Sequence, residues 1–414
     1  MKRPCTRRSA LHLGAVGLAA LAGCTTENPG GTTPERSSTG TEARSTTSST
    51  TETTATASEA NEGESGVTVQ WTASIGGRIP IPAVDEDTVY VTSSKGGLSA
   101  FDRTGGNRRW RVSTGGASYL GPRVADETVY CPAGNDLLAR ATSDGGHRWT
   151  HEWEGWLSSM PTIDGDTVFV GNTDPELSHD PSSYPEDLFA LAIDDGSVRW
   201  KRSLGDHDEL GGDPLVAGGR LYAQVESSDV YALDPTDGTT IWHTPMPAGR
   251  GGAYEGPVMA GETLVAISGG SLVGIDPSSG DVRWTFGGVK TAPVTDGEAV
   301  YAGDFTPEGT QSTVYSVDPR DGSELWSRPI PGRLKTWSAL SAAPGTLYVS
   351  ATEAAGDRGS RDDLTTLYAI DAAGTEQWRF KRTCDGFSRV VVADGIAYVA
   401  GRYGDGTLYA LAPR

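Results

Sequence analysis

Tryptophan recurs along this chain at a nearly fixed interval. Trp71, Trp110, Trp149, Trp200, Trp242, Trp284, Trp326 and Trp378 stand 39, 39, 51, 42, 42, 42 and 52 residues apart. From Trp110 onward a glycine stands four residues ahead of each: Gly106, Gly145, Gly196, Gly238, Gly280, Gly322 and Gly374. An alternating strand precedes that glycine, as in Val230-Tyr231-Ala232-Leu233-Asp234, and another precedes it, as in Leu221-Tyr222-Ala223. These runs are β-branched or aromatic at period two and are bounded by Asp-Gly turns. A further strand begins near Pro161, Pro214, Pro257 and Pro293. Each unit therefore holds four antiparallel strands, A to D, with the tryptophan on outer strand D. A repeat near 40 residues with this content specifies propeller blades, because no single unit can bury its apolar face alone.

Eight B–C strand pairs can be counted, near 88–102, 128–141, 167–192, 220–234, 263–276, 299–318, 346–371 and 396–411. The last, ending Leu408-Tyr409-Ala410-Leu411, has no Gly-x-x-x-Trp after it. Val67-Thr68-Val69-Gln70-Trp71 has the tryptophan strand with no blade before it. An N-terminal strand completing the C-terminal blade accounts for both ends and removes exposed sheet edges. The expected fold is an all-β, eight-bladed propeller over 67–414. Reading one of the long-spaced units differently would give seven blades.

The segment ahead of the ring has another composition. Lys2 and Arg3 open a basic leader, Thr6-Arg7-Arg8-Ser9-Ala10-Leu11 has the twin-arginine export pattern, and Ala10–Ala22 is apolar but short for a bilayer span. Leu21-Ala22-Gly23-Cys24 has the form of a lipobox, which makes 1–23 a signal peptide and Cys24 the lipid anchor. Residues 24–66 are rich in Thr, Ser and Glu without large apolar residues, so a disordered stalk is expected. The protein should then be exported and held by a lipid on the outer face of the cytoplasmic membrane.

Charge narrows the partners. Lys and Arg total 34 against 54 Asp and Glu, a net charge of −20, and lysine occurs only at 2, 95, 201, 290, 335 and 381. Nucleic acid, which requires a clustered basic surface, is excluded. An acidic, lysine-poor surface is that of a protein hydrated in concentrated salt, as in a halophilic archaeon, with an ordinary acidic secreted protein as the alternative.

The run Tyr231 to Trp242, Tyr-Ala-Leu-Asp-x-x-x-Gly-x-x-x-Trp, resembles the repeat of pyrroloquinoline-quinone (PQQ) β-propellers, with variants at 274–284, 315–326 and 368–378. The resemblance implies that the tryptophan packs between blades and that the aspartate caps the turn before strand D. Ala141 and Ala192 replace that aspartate in blades 2 and 3, so looser turns are expected there. The family divides into quinoprotein dehydrogenases, with PQQ on a disulfide of adjacent cysteines and Ca²⁺ beside it, and lipoprotein propellers that assist outer-membrane protein assembly. Cys131 and Cys384 cannot form such a disulfide, and no matching Glu/Asn/Asp set is evident. The leading expectation is a monomeric, non-catalytic scaffold without cofactor or metal. A PQQ/Ca²⁺-dependent redox protein and a solute- or glycan-binding lipoprotein remain alternatives. His147 and His151 lie on a strand, about 13 Å apart, too far for one metal ion. Asp174, Glu176, His179 and Asp180 lack calcium-loop spacing.

In an up-and-down blade the B–C and D–A connections share one face, and here that face carries the long segments near 172–187, 304–312 and 351–363. Long loops on one face of a repeat array form its binding face. The D–A loops hold aromatics outside the repeat, Trp153, Trp156, Tyr254 and Trp337, with cations Arg250, Lys290, Arg333 and Lys335. These residues form the candidate rim for an anionic or extended partner, local neutralisation by carboxylates being the alternative.

Overall fold

The computed structural model describes residues 65–173, 186–204, 210–225, 229–246, 256–305, 310–334, 339–353, 363–401 and 406–414. The export signal with Arg7 and Arg8, the anchor Cys24, nearly all of the stalk and the acidic loop from Asp174 to Asp180 lie outside them. Within them are eight antiparallel sheets, each formed by consecutive strands except one. Blade 1 shows the plan: A is Ala83–Val84, B Thr88–Ser93, C Gly97–Asp102 and D Arg108–Val112. Blades 2 to 7 follow over 123–151, 162–203, 215–244, 258–287, 294–331 and 333–383. Blade 8 takes Val391–Ala393, Ile396–Ala400 and Thr407–Pro413 from the C-terminus, and Val67–Ser74 as its outer strand. That strand runs antiparallel to the last one, with Val67 opposite Pro413 and Thr72 opposite Tyr409. The ring closes as its two unmatched ends require.

Blade 7 departs from the plan. Its inner strand is split into Arg333–Leu334 and Leu340–Ala343, both paired with Thr346–Glu353.

The Gly-x-x-x-Trp motif encodes one joint repeated around the ring. The tryptophan of each blade lies on the glycine of the next, and its indole N–H donates to a carbonyl in that blade's C–D turn. Trp71 donates to Arg103 O at 2.9 Å, Trp110 to Thr142 O at 2.8 Å and Trp242 to Pro277 O at 3.1 Å. A residue with a Cβ would not fit beneath: a Cβ on Gly106 would stand 2.5 Å from the Trp71 ring, and on Gly196 2.6 Å from Trp149. In every blade but the fifth, whose strand B has no aromatic, an aromatic of strand B packs on its own blade's indole, as Tyr90 does on Trp110 with centroids 5.9 Å apart. Apolar clusters fill the space between blades, Tyr222, Val230 and Met246 of blade 4 against Leu264, Ala266 and Val273 of blade 5 being one. The joint between blades 7 and 8 differs because strands C and D of blade 8 are not consecutive and no C–D turn links them. Gly66 takes the place of the turn against Trp378, and Arg414 N donates to its carbonyl at 2.9 Å.

Every C–D pair has a bulge where the motif meets the sheet. Ala232 faces Trp242 but Leu233 faces Thr240, leaving Ile241 unopposed, and the other seven pairs shift at the same point. An extra residue bends the strand and re-aims its side chain. The bulged arginines accordingly reach turn carboxylates: Arg109 reaches Asp87 and Asp102, both at 3.0 Å, and Arg283 reaches Asp276 at 2.8 Å.

The alanine-containing turns of blades 2 and 3 are not looser, which corrects that expectation. Gly145 N donates to Ala141 O at 3.0 Å and Gly196 N to Ala192 O at 2.9 Å, as Gly238 N does to Asp234 O at 2.9 Å. Only the first-position cap is missing there: Asp144 Oδ1 accepts from Gly146 N at 2.8 Å and Asp195 Oδ1 from Ser197 N at 2.9 Å, the same bond that Asp237 Oδ1 accepts from Thr239 N at 2.9 Å in the capped turn of blade 4.

Candidate partner-binding face

Strand D of each blade runs from the short C–D turn towards the long D–A loop, so all D–A and B–C connections gather on one face. Two separate clusters form there.

The first lies at the start of blade 7. Lys290, in the loop between blades 5 and 6, is pinned by its own N–H on Gly303 O at 2.7 Å. Its Nζ donates to Asp304 Oδ1 and to Phe305 O, both at 2.7 Å, and lies 5.2 Å from the Phe305 ring centroid. Arg333, on the inner strand of blade 7, holds its guanidinium 5.3 Å from the same centroid. Two cations thus flank one ring, as the electron-rich face of an aromatic favours. Lys290 has its carboxylate. Arg333 has none among the described residues, and its Nε is buried without an acceptor. A buried donor left without a partner costs stability, so the geometry suits an incoming acceptor.

The second cluster lies between blades 1 and 3. Trp153 is half-buried, 4.1 Å from His151 and 5.5 Å edge-on from Phe189, measured between centroids. It holds up the loop more than it offers a contact surface. Trp156 is 58% exposed and Tyr119 60% exposed, the two most exposed large apolar side chains among the described residues. Both border a cleft of about 260 Å³ whose floor includes Leu120, Pro132 and Leu157. The rim is therefore two sites: Lys290 and Arg333 come together, whereas Trp153 and Trp156 lie across the ring from them. Arg250, Tyr254, Lys335 and Trp337 lie outside the described residues. Tyr119 was missed although it too is a non-repeat aromatic in a D–A loop. Phe305 was missed because it ends a strand and reads as core.

Nothing described fits a quinoprotein centre. Cys131 and Cys384 are buried and not joined in a disulfide, one in blade 2 and the other just after the outer strand of blade 7. Burial pushes the Cys131 thiol up to about 12, which leaves no thiolate for nucleophilic work at neutral pH. No group of three His, Cys, Asp or Glu side chains is placed to hold a metal ion among the described residues. His147 and His151 stand on one strand and turn to different partners, Thr150 Oγ1 at 3.1 Å and Gly196 O at 2.8 Å. The chemistry of this donor set does not match PQQ with Ca²⁺.

Comparison with known proteins places the chain. A family model described as outer membrane protein assembly factor BamB matches residues 51–225, 139–306 and 310–414. The BamB of Shewanella oneidensis is 24% identical over 381 residues, covering 81% of this chain and 87% of that protein. The crystal structure of BamB from Moraxella catarrhalis superposes with a TM-score of 0.64 at 17% identity, over 84% of this chain and 99% of that one. Quinohemoprotein alcohol dehydrogenase from Comamonas testosteroni superposes at 0.62 with 14% identity, over 84% and 76%. At such identities the likeness extends to fold alone.

Proposed function

The chain belongs to the PQQ-like propeller family of outer membrane protein assembly factor BamB, and from that membership we propose that it is a membrane-tethered, non-catalytic scaffold that captures a protein partner on its long-loop face. The twin-arginine leader exports it and a lipid on Cys24 anchors it. Strand Val67–Ser74 enters the ring on the short-turn face, beside Trp378 and Arg379, so the long loops stand on the face opposite the tether attachment.

One observation supports the choice of face above the rest. In a chain with 54 acidic residues, Arg333 lies beside Lys290 on Phe305 with no carboxylate of its own among the described residues. A partner segment bearing an Asp or Glu would satisfy Arg333 there, and Tyr119 and Trp156 give a second, apolar foothold across the ring. Truncating an arginine anchor that pairs with a carboxylate costs about 2–4 kcal/mol of binding. The test is affinity capture from detergent-solubilised membranes with the lipidated protein, comparing wild type, Arg333→Gln with Lys290→Gln, and Trp156→Ala. Loss of a co-purifying protein with an unchanged melting temperature is the expected result. Equal capture by all three would refute this face.

A further inference from the structure

The chain is held against blade 7 before it joins the ring. Ser65 exchanges two backbone hydrogen bonds with Arg379 on the outer strand of that blade, Glu376–Thr383: Arg379 N donates to Ser65 O at 3.0 Å and Ser65 N to Arg379 O at 3.2 Å. Gly66 then turns away with φ +72°, packed so closely that a Cβ on it would stand 2.8 Å from Gln377 O. The chain thus arrives antiparallel to the outer edge of blade 7 and only then crosses to blade 8. One paired residue fixes the register of those before it. In that register Glu64 falls opposite Phe380, Gly63 opposite Lys381, Glu62 opposite Arg382 and Asn61 opposite Thr383.

The edge beyond Arg379 is open and basic. Backbone groups alternate in direction along an antiparallel strand. Arg379 N points outward to Ser65, and Cys384 N points inward to Asp363 O at 2.9 Å, so Lys381 and Thr383 present their N–H and C=O groups outward. Such an edge is a template for a further strand. It carries Arg379, Lys381 and Arg382 within four residues, against Glu376, which Arg328 at 3.0 Å and Arg379 at 2.6 Å already hold. The Arg382 guanidinium lies on the edge itself. Its Nη1 donates to Lys381 O at 2.7 Å, and its carbon stands 4.0 Å from the Phe380 ring centroid. Those are the two positions that Glu62 and Glu64 would face. The outer strands of blades 1 and 3 are as rich in arginine and lysine, but among the described residues neither has an incoming segment paired to its edge.

We propose that residues 61–64, the four ahead of Ser65, dock as an added strand on the outer edge of blade 7, with Glu62 and Glu64 facing Arg382. Main-chain bonds to Lys381 and Thr383 supply the affinity, as in strand addition to any open edge, and opposite charges facing across the pair fix the choice of edge. Asn, Gly and Glu are poor strand formers, so the docking leans on register and charge and loosens when salt screens it. The tether then restrains the ring through the wall of blade 7, and the long-loop face stays clear. The inference does not depend on what that face binds.

Residue-resolved amide exchange of the full mature chain by NMR, at about 0.1 M salt, tests the docking. Pairing protects alternate amides: Asn61, Gly63, Lys381 and Thr383 are held, whereas Glu62 and Glu64 point to solvent. Gly63 and Lys381 are expected to exchange about tenfold or more below their unstructured rates, and Glu64 close to its own. Glu62→Lys with Glu64→Lys should abolish that protection without lowering the melting temperature, since neither residue belongs to the ring. Raising KCl to about 1 M should weaken the protection in the wild type. Exchange of Gly63 and Lys381 at unstructured rates, or protection untouched by the two charge reversals, would overturn the docking. So would protection that falls on dilution, which is the mark of a second copy filling the edge.

Discussion

At the scale of single residues the ring is held by one contact repeated with little variation. An indole lies on a glycine of the next blade and donates to the turn behind it. The glycine serves twice, since Gly106 has φ +69° and Trp71 occupies the space where its Cβ would be. Gly165, with φ +54° and nothing within 4 Å of a Cβ, carries only the first demand. The comparison separates backbone strain from packing. Gly165→Ala should lose about 1 kcal/mol, the cost of the left-handed backbone, and Gly106→Ala about 2–4 kcal/mol once overpacking against Trp71 is added. Urea denaturation midpoints measure both. Equal losses would mean that the indole moves aside and the joint is soft. This contact was legible in the sequence because glycine and tryptophan recur at fixed spacing and few side chains can replace either. What spacing could not express is the bulge at the residue before each tryptophan, since a bulge is a property of two strands paired together.

At the scale of the element, the C–D turn is where sequence and structure part most usefully. Aspartates cap most of these turns from the first position, and their pKa values record it. Asp276 is held well below the ordinary carboxylate range by Ser278 and then by Arg283. Asp318 is brought down to about 2, chiefly by Arg320, and Asp166, in an A–B turn, to about 2 by Arg199. A carboxyl whose pKa is lower folded than unfolded contributes stability above the unfolded value, 3.8 here, and loses it as pH falls through the folded value. The denaturation midpoint should hold steady from neutral pH to about 5 and fall steeply between about 4 and 2. Asp276→Asn should lower the midpoint at neutral pH and reduce the fall below pH 4. A midpoint flat to pH 2 would show that the turn bonds do not contribute. Ala141 and Ala192 explain why a motif overstates its own necessity. The turn closes through backbone hydrogen bonds that any residue makes, and the aspartate three residues on holds its far end whether the first position is Asp or Ala.

For the whole molecule, the repeat made the blades, their order and the closure of the ring readable in advance, because eight similar units must each bury the same faces. The binding face was readable only as a region. Its loops lie outside the repeat, and whether Lys290 meets Arg333 or Trp156 meets Tyr119 depends on how eight blades close, which no local pattern encodes. Net charge is the property that belongs to the molecule alone. The leader carries four cations and residues 24–66 hold seven Glu against two Arg, so most of the acidity belongs to the ring. Two salt effects then oppose each other. Screening weakens surface pairs such as Arg109–Asp102 and Arg199–Asp166, each worth at most about 1 kcal/mol. It also relieves repulsion among the excess carboxylates, whose reach falls from about 10 Å at 0.1 M salt to about 3 Å at 1 M. With 20 more acidic than basic residues, the second effect should win. The melting temperature of the mature protein is expected to rise steadily as KCl goes from about 0.1 M to 1 M and beyond, and an uncharged osmolyte control separates screening from general exclusion. A melting temperature that falls with KCl would mean that the paired charges dominate, and the acidity of the ring would then serve its partners and not its solvent.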